Sequence, residues 1–344
     1  MLSIQDIIEF YKVESPNKSP STYITMKYNL VRLQKLLDKD ISEIVVNDFK
    51  PLTKLIDLFD KYALNTRIQT IMGIKLFLRF KDANEKTINE YNDLLKDLCA
   101  ESKVITEKNE MTDKEVKNWI DYDELKEKVI KFYNDEYKKY EGKEDFSIYT
   151  WNRNFLLLSL YVLLPPTRIG NYQYMRIRQQ KKRKGTSLDN KYNYLMVNDD
   201  ESYTLVFNQY KTSKYIGQVE HKITPEKDEI LCDILAAYLK KRDRYVNNKK
   251  NDILFFNKEK NEMTQSSITD TLKNISRKIV DKELSVNLIR HIFITSFLEK
   301  PQSIEQKKII ATFMGQTYNP TMMECYNKLK KKVKPNNPIV IDWN

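Results

Sequence analysis

A mainly α chain of two domains, the second holding a small antiparallel β-sheet, is what three features of these 344 residues predict. Apolar residues recur at three- and four-residue spacing through most of the chain, the mark of amphipathic helices. Alternating strand-forming runs occur only between residues 192 and 223. A polar, aperiodic stretch over 101–113 reads as a linker and leaves a length on each side that can bury its own core.

Residues 1–20 end in SPNKSPS, a Ser/Pro/Asn cluster that reads as an N-terminal arm. A helical domain then spans 21–100. In TYITMKYNLVRLQKLLDKD, the positions of Met26, Leu30, Leu33 and Leu37 define one apolar helix face. A second helix starts at Asn65, a suitable N-cap, and buries Ile68, Ile71, Met72 and Phe80. Its polar side carries Arg67, Lys75 and Arg79, a row that reads either as a track along a phosphate backbone or as a solvated basic face. A third helix covers 87–99, and no strand pattern precedes it.

The second domain spans 114–334 and opens with helices at 120–139 and 147–164. Pro165 and Pro166 stop the latter, since proline lacks the amide and crowds the preceding turn. Thr167 can cap a helix that begins with Arg168. Three strands follow, at 192–197, 203–208 and 215–223, and read as the antiparallel sheet. Helices at 227–246, 265–280, 286–299 and 304–314 complete the set. The last has a capping box in Ser303 and Gln306 and ends at Gly315. Beyond Asn319-Pro320, Thr321 and Glu324 form another capping box for a short helix carrying Tyr326. The tail 335–344 ends in the apolar IVIDW, so Ile339, Ile341 and Trp343 need cover, from their own domain or from a neighbouring protomer.

With 59 Lys+Arg against 48 Asp+Glu, the formal charge of +11 points to an acidic partner, nucleic acid first. No apolar run has the length of a membrane span, so no membrane partner is expected. The N-terminus lacks the pattern of a signal peptide, and three isolated cysteines fit a reducing, intracellular compartment. Two histidines and those cysteines form no ligand cluster, so no metal site is expected. Six glycines leave neither GxGxxG nor GxxxxGK[ST], and no nucleotide cofactor is expected either.

Two arginines sit where amphipathic logic does not want them: Arg168 in LLPPTRIGNY and Arg290 in NLIRHIFITSFL. Each is costly there unless paired. They read either as structural guanidiniums satisfied by carboxylates or carbonyls, or as two planar forks closing on one phosphate. Lys211, in the turn NQYKTSK between strands, can swing a cation toward a ligand, with Lys214 as a competitor for that role. Tyr326, at helical spacing with Met322 and Leu329, reads by default as a core aromatic.

Taken in order and spacing, Arg168 in TRIGN, Lys211 in a hairpin, Arg290 in NLIRH and Tyr326 after Gly315 resemble the tyrosine recombinase (phage-integrase-like) family. The resemblance covers nearly the whole chain, and within the family it is closest to integrases of large eukaryotic DNA viruses, virophages and related mobile elements. It implies a helical core-binding domain and a mixed α/β catalytic domain of the recombinase type. It implies site-specific DNA cleavage and rejoining through a 3′-phosphotyrosyl intermediate, on double-stranded DNA with paired sites, by a homotetramer and without metal. Arg168 and Arg290 would hold the phosphate, Lys211 would protonate the leaving 5′ oxygen, and Tyr326 would attack. Asn287 and Gln316 stand where the family places a His or Lys and a His or Trp. Both can donate to a phosphate oxygen, but neither accepts the tyrosine proton as an imidazole does, so the base is unassigned. His291, about 100° around the helix from Arg290, reads as a packing or hydrogen-bonding residue. The tail would then dock on a neighbouring protomer. A type IB topoisomerase activity and an inactive DNA-binding protein of the same fold are the alternatives. KKRK at 181–184 reads as a nuclear localisation signal or as a solvated, phosphate-contacting run.

Overall fold

Two units make up the chain, Met1–Lys108 and Asn109–Asn344. A computed structural model describes residues 2–59, 61–137, 146–179, 188–246, 251–319 and 326–328. The KKRK run, the Thr321/Glu324 capping box and the tail lie outside the described residues.

In the first unit, α1 (Ile4–Glu14), α2 (Pro20–Leu37), α3 (Leu52–Phe59), α4 (Leu64–Phe80) and α5 (Glu85–Lys108) surround one core, with a 3-10 turn at Val46–Phe49. The arm expected over 1–20 is helical for most of its length. Ser3 and Asp6 form a capping box that starts α1, and Ile7 and Ile8 are buried in the core. The amphipathic reading of α4 was too narrow. Ile71, Ile74, Phe77 and Leu78 are fully buried, and the helix is enclosed on most sides. It passes close to α2 at Gly73, where a Cβ would stand 3.0 Å from Asn29 Cβ, so this position needs glycine for approach. Tyr91 of α5 closes the far side by donating to the Phe49 carbonyl at 2.8 Å. α5 continues to Lys108, through much of the expected linker, because residues such as Glu101, Lys103 and Glu107 favour helix and Lys103 meets Glu107 one turn on.

The second unit is built on α8 (Phe146–Val162), whose Phe155–Leu158 and Leu160–Val162 are fully buried. Against it pack α7 (Tyr122–Asp135), α11 (Pro225–Val246, kinked at Asp228), α12 (Gln265–Val280) and α13 (Val286–Glu299). The short α6 (Asp113–Asn118) precedes α7. After the two prolines comes α9 (Ile169–Gln173), and α14 (Ile304–Phe313) packs on the sheet. Thr264, Ser285 and Ser303 cap α12, α13 and α14 as Ser/Thr oxygens do, accepting from the amide three residues on. Arg168, expected as the first residue of its helix, is the N-cap of α9, held extended (ψ 153°) after the prolines.

The sheet is mixed, not purely antiparallel. Its order is β1 (Met175–Gln179), β2 (Asn193–Val197), β3 (Tyr203–Phe207) and β4 (Val219–Ile223), with β1 parallel to β2 and the other pairs antiparallel. The unexpected β1, MRIRQ, keeps Met175 in the core while Arg176 and Arg178 turn to Asp252 and Glu262. The strand expected from residue 215 starts at Val219, because Ser213–Ile216 form a helical turn, α10, that Gly217 ends at φ +83°.

Candidate active site

Four separated segments meet at the turn that ends α14. Gly315, at φ +67°, reverses the chain after Phe313, and its own amide donates to the Thr312 carbonyl at 2.9 Å while that of Gln316 reaches Ala311 at 2.8 Å. This places the Met314 and Gly315 carbonyls toward the second unit's core. Arg290 of α13 donates through Nη1 to the Pro166 carbonyl at 2.9 Å and to Met314 at 3.3 Å. Arg168 donates through Nη1 to the Gly315 carbonyl, and Thr212, next to Lys211, donates to the same oxygen at 2.8 Å. The proline loop, the β3–α10 turn, α13 and the α14 turn are thus tied together at the two arginines.

What the arginines lack matters more than what they hold. Arg290 is 1% exposed, and its Nη2 has no partner among the described residues. Among the described residues both guanidiniums have carbonyl acceptors and no carboxylate. A carbonyl orients a guanidinium without cancelling its charge. Burial, then the like charge of Arg290, accordingly pulls Arg168 below the usual arginine range, while Tyr326 opposes the shift. Two further buried donors, Gln316 Nε2 and Asn171 Nδ2, have no partner among the described residues. Asn171 Nδ2 and Arg168 Nη1 each lie 3.8 Å from the position a Gly315 Cβ would take, so they flank one small cradle. A buried donor without an acceptor costs about 1–3 kcal/mol, so Arg290 Nη2, Gln316 Nε2 and Asn171 Nδ2 each keep a bonding capacity that the described residues do not fill.

Tyr326 comes to this place from the C-terminal side. Its ring centroid lies 5.5 Å from the Arg290 guanidinium carbon and 4.9 Å from the His291 ring. Its own residues, Tyr326–Lys328, form a turn here, and the helix expected before it lies outside the described residues. Tyr318 is half-exposed and makes no ring contact or hydrogen bond among the described residues.

The other expected site residues divide. Gln316 is brought in, 3% exposed. Lys211 is exposed in the turn directly before Thr212, so its backbone is at the site and its amine is in solvent. Lys214 is exposed on α10. Asn287, one turn before Arg290 on α13, is exposed and makes no hydrogen bond among the described residues. In the first unit, Arg67 Nε donates to the Tyr62 carbonyl at 2.9 Å, Arg79 pairs with Glu14 at 3.7 Å, and Lys75 is half-buried, its amine pulled below the usual range by burial and by Arg79. Arg67 and Arg79 are thus partnered within their own unit.

One residue here escaped the sequence reading, and one was read without its partner. Asn171 had a local signal, a polar side chain three residues after Arg168 in an apolar helix start. His291 packs and hydrogen-bonds as its place on the helix suggests, but its partner, Tyr326, lies 35 positions away and has no local signal.

No known family model matches the chain, and no curated protein does. The chain is similar to a solved structure described as the crystal structure of XerA recombinase, at 16% identity and a TM-score of 0.38, over 94% of this chain and 92% of that one.

Proposed function

We propose that the chain is a DNA strand-transfer enzyme of the tyrosine recombinase or integrase type. The observation that carries this reading is the arginine pair, Arg290 buried and Arg168 partly so, held by carbonyls with no carboxylate among the described residues and faced by a tyrosine. A phosphodiester resists attack because its charge repels nucleophiles. Arg168 and Arg290 on its non-bridging oxygens stabilise the additional charge of the pentacoordinate transition state. Tyr326 Oη gives its proton to water and attacks phosphorus, the P–O bond to the 5′ oxygen breaks, and a 3′-phosphotyrosyl ester forms. Attack by another 5′ hydroxyl reverses the step and releases the tyrosine, so bond energy is conserved. Lys211 gives its proton to the departing 5′ oxygen by swinging in from its exposed turn. Gln316 and Asn171 donate to the same phosphate, and Asn287 reaches it only through a change at the start of α13. Paired DNA sites, a homotetramer, and docking of the tail on a neighbour belong to the same proposal, as does placement at intracellular DNA.

The test is a nicked duplex that traps the covalent intermediate. A protein–DNA adduct should form, and peptide mapping should place it on Tyr326; Tyr326→Phe should abolish it and Tyr318→Phe should not. Adduct mapped to Tyr318 would overturn the assignment, and no adduct at all would favour an inactive DNA-binding protein. For the acid, Lys211→Ala should cleave an ordinary duplex about a hundredfold more slowly. A 5′-phosphorothiolate, whose sulfur leaves without a proton, should restore the rate. Rescue of Lys214→Ala instead would move the role to Lys214.

A further inference from the structure

Tyr326 is held by its main chain, and the two side chains that hold it lie on the same helix as Arg290. The Tyr326 carbonyl receives His291 Nδ1 at 3.2 Å and Thr295 Oγ1 at 3.3 Å. His291 and Thr295 are four residues apart on α13, so one face of one helix presents both donors. Thr295 Oγ1 also accepts the Lys328 amide at 3.1 Å, two residues past the tyrosine. A threonine hydroxyl can donate once and accept at the same time, so it fixes a carbonyl and an amide of the same short segment. Asn109 Nδ2 donates to the Asn327 carbonyl at 2.6 Å, and Lys328 Nζ reaches the Glu110 carbonyl at 3.3 Å and Glu115 at 3.8 Å.

A carbonyl oxygen only accepts, so the His291 contact requires the proton on Nδ1 and leaves Nε2 as the bare nitrogen of the neutral ring. Burial favours that neutral ring by pulling the imidazole below its usual range. The ring also lies at 36° to the Tyr326 ring and limits how far the phenol can swing. Arg290, immediately before His291 in sequence, carries the anion-facing guanidinium. One helix therefore sets both the phosphate ligand and the backbone of the attacking residue, and the distance between them is fixed by α13 itself.

We infer that His291 and Thr295 are positioning residues that clamp the Tyr326 carbonyl so that the phenol is presented beside Arg290. This rests on Tyr326 being the nucleophile. A loss of placement of this kind lowers the rate of attack and leaves DNA affinity alone, because neither side chain faces the anion cradle through its donor atom.

The experiment measures adduct formation under single-turnover conditions together with DNA affinity, for His291→Leu, His291→Asn, Thr295→Val and Thr295→Ser. An Asn side chain can present an N–H close to the position of Nδ1, and Ser keeps the hydroxyl. His291→Leu and Thr295→Val should each slow adduct formation about 10- to 100-fold with affinity unchanged within twofold, and His291→Asn and Thr295→Ser should recover to within about threefold of the unaltered protein. Hydrogen exchange at the Lys328 amide reads the clamp without chemistry: protection should fall in Thr295→Val and return in Thr295→Ser. If His291→Asn is as slow as His291→Leu, the imidazole acts through something other than the Nδ1 donor and the inference is overturned. Full activity in His291→Leu or Thr295→Val overturns it as well. If the unaltered protein forms no adduct, the nucleophile reading fails and takes this role with it, whereas normal adduct formation with an unchanged Lys328 amide in Thr295→Val refutes the clamp alone.

Discussion

Arg79 on α4 and Arg290 on α13 both sit on helices enclosed by apolar neighbours, yet they reach opposite electrostatic states. Arg79 is largely exposed and pairs with Glu14. Arg290 is almost wholly buried, oriented by two carbonyls, and left with a nitrogen that has no partner among the described residues. A net charge of +11 says that the chain prefers acidic partners, but it does not say where. Location comes from the chemistry of each cation's partner. A carboxylate both orients and neutralises, so the charge is consumed within the fold. Carbonyls only orient, so the charge remains for a ligand, and the cost of burying it is recovered when an anion arrives.

The sharpest way to break this contrast is to alter one arginine in each region. Arg290→Lys keeps the charge and loses the fork, and adduct formation should fall about a thousandfold, as for loss of a transition-state donor. Circular dichroism should confirm that the variant is folded. Arg79→Ala should leave cleavage unchanged, and the slope of DNA affinity against salt should stay the same, whereas a lost phosphate contact would reduce it by about one. Equal losses in both would erase the distinction.

A smaller effect sharpens it. Gly315→Ala forces a Cβ into a backbone at φ +67° and to 3.2 Å from Tyr210 Cδ2, with left-handed strain of about 1–2 kcal/mol. The carbonyl shared by Arg168 and Thr212 should shift, lowering the melting temperature by a few degrees and adduct formation about tenfold. Unchanged kinetics would mean that this carbonyl does not set the arginine.

The smallest effect is in pH. His291 faces Glu115, Lys328, Arg290 and Tyr326, and His221 packs edge-on against Phe313 near Asp228. Burial holds both imidazoles below their ordinary range. A base whose folded value is depressed takes up protons more readily when unfolded, so its stability contribution is complete above about pH 6.5 and is lost as pH falls below that. Denaturant melts should show the second unit weakening between about pH 6.5 and 5, with His221→Gln flattening part of the slope. A slope of the opposite sign would contradict the burial argument.

Local signals explain what was legible from sequence. The helices α12 and α13 match their expected limits because Thr264 and Ser285 cap them and their apolar spacing is regular. The same holds for the Ser303/Gln306 box of α14 and for Gly315 beyond it. The first helix was hidden by the SPNKSPS cluster that follows it, although Ser3-x-x-Asp6 was a cap in plain sight. The strand MRIRQ was missed because it is short, and its partner is a parallel neighbour reached only after a long connection. Arg168 and Arg290 could be singled out, since polar side chains in apolar surroundings stand out in any window, whereas Gln316 was reached only through the family resemblance. Their convergence on Met314 and Gly315 could not, because it depends on packing between distant segments, and neither could the clamp on Tyr326.

The central claim is that the arginine charge left over in the fold serves to neutralise a scissile phosphate. Replacing one non-bridging oxygen of that phosphate with a methyl group removes the negative charge and keeps phosphorus open to attack. Single-turnover cleavage by the unaltered protein and by Arg290→Ala should be compared on the two duplexes. On the phosphodiester the variant should be slower by about a thousandfold, and on the methylphosphonate the gap should shrink to about tenfold or less. A gap of the same size on both substrates would show that Arg290 serves the fold and not the phosphate, and would contradict the account.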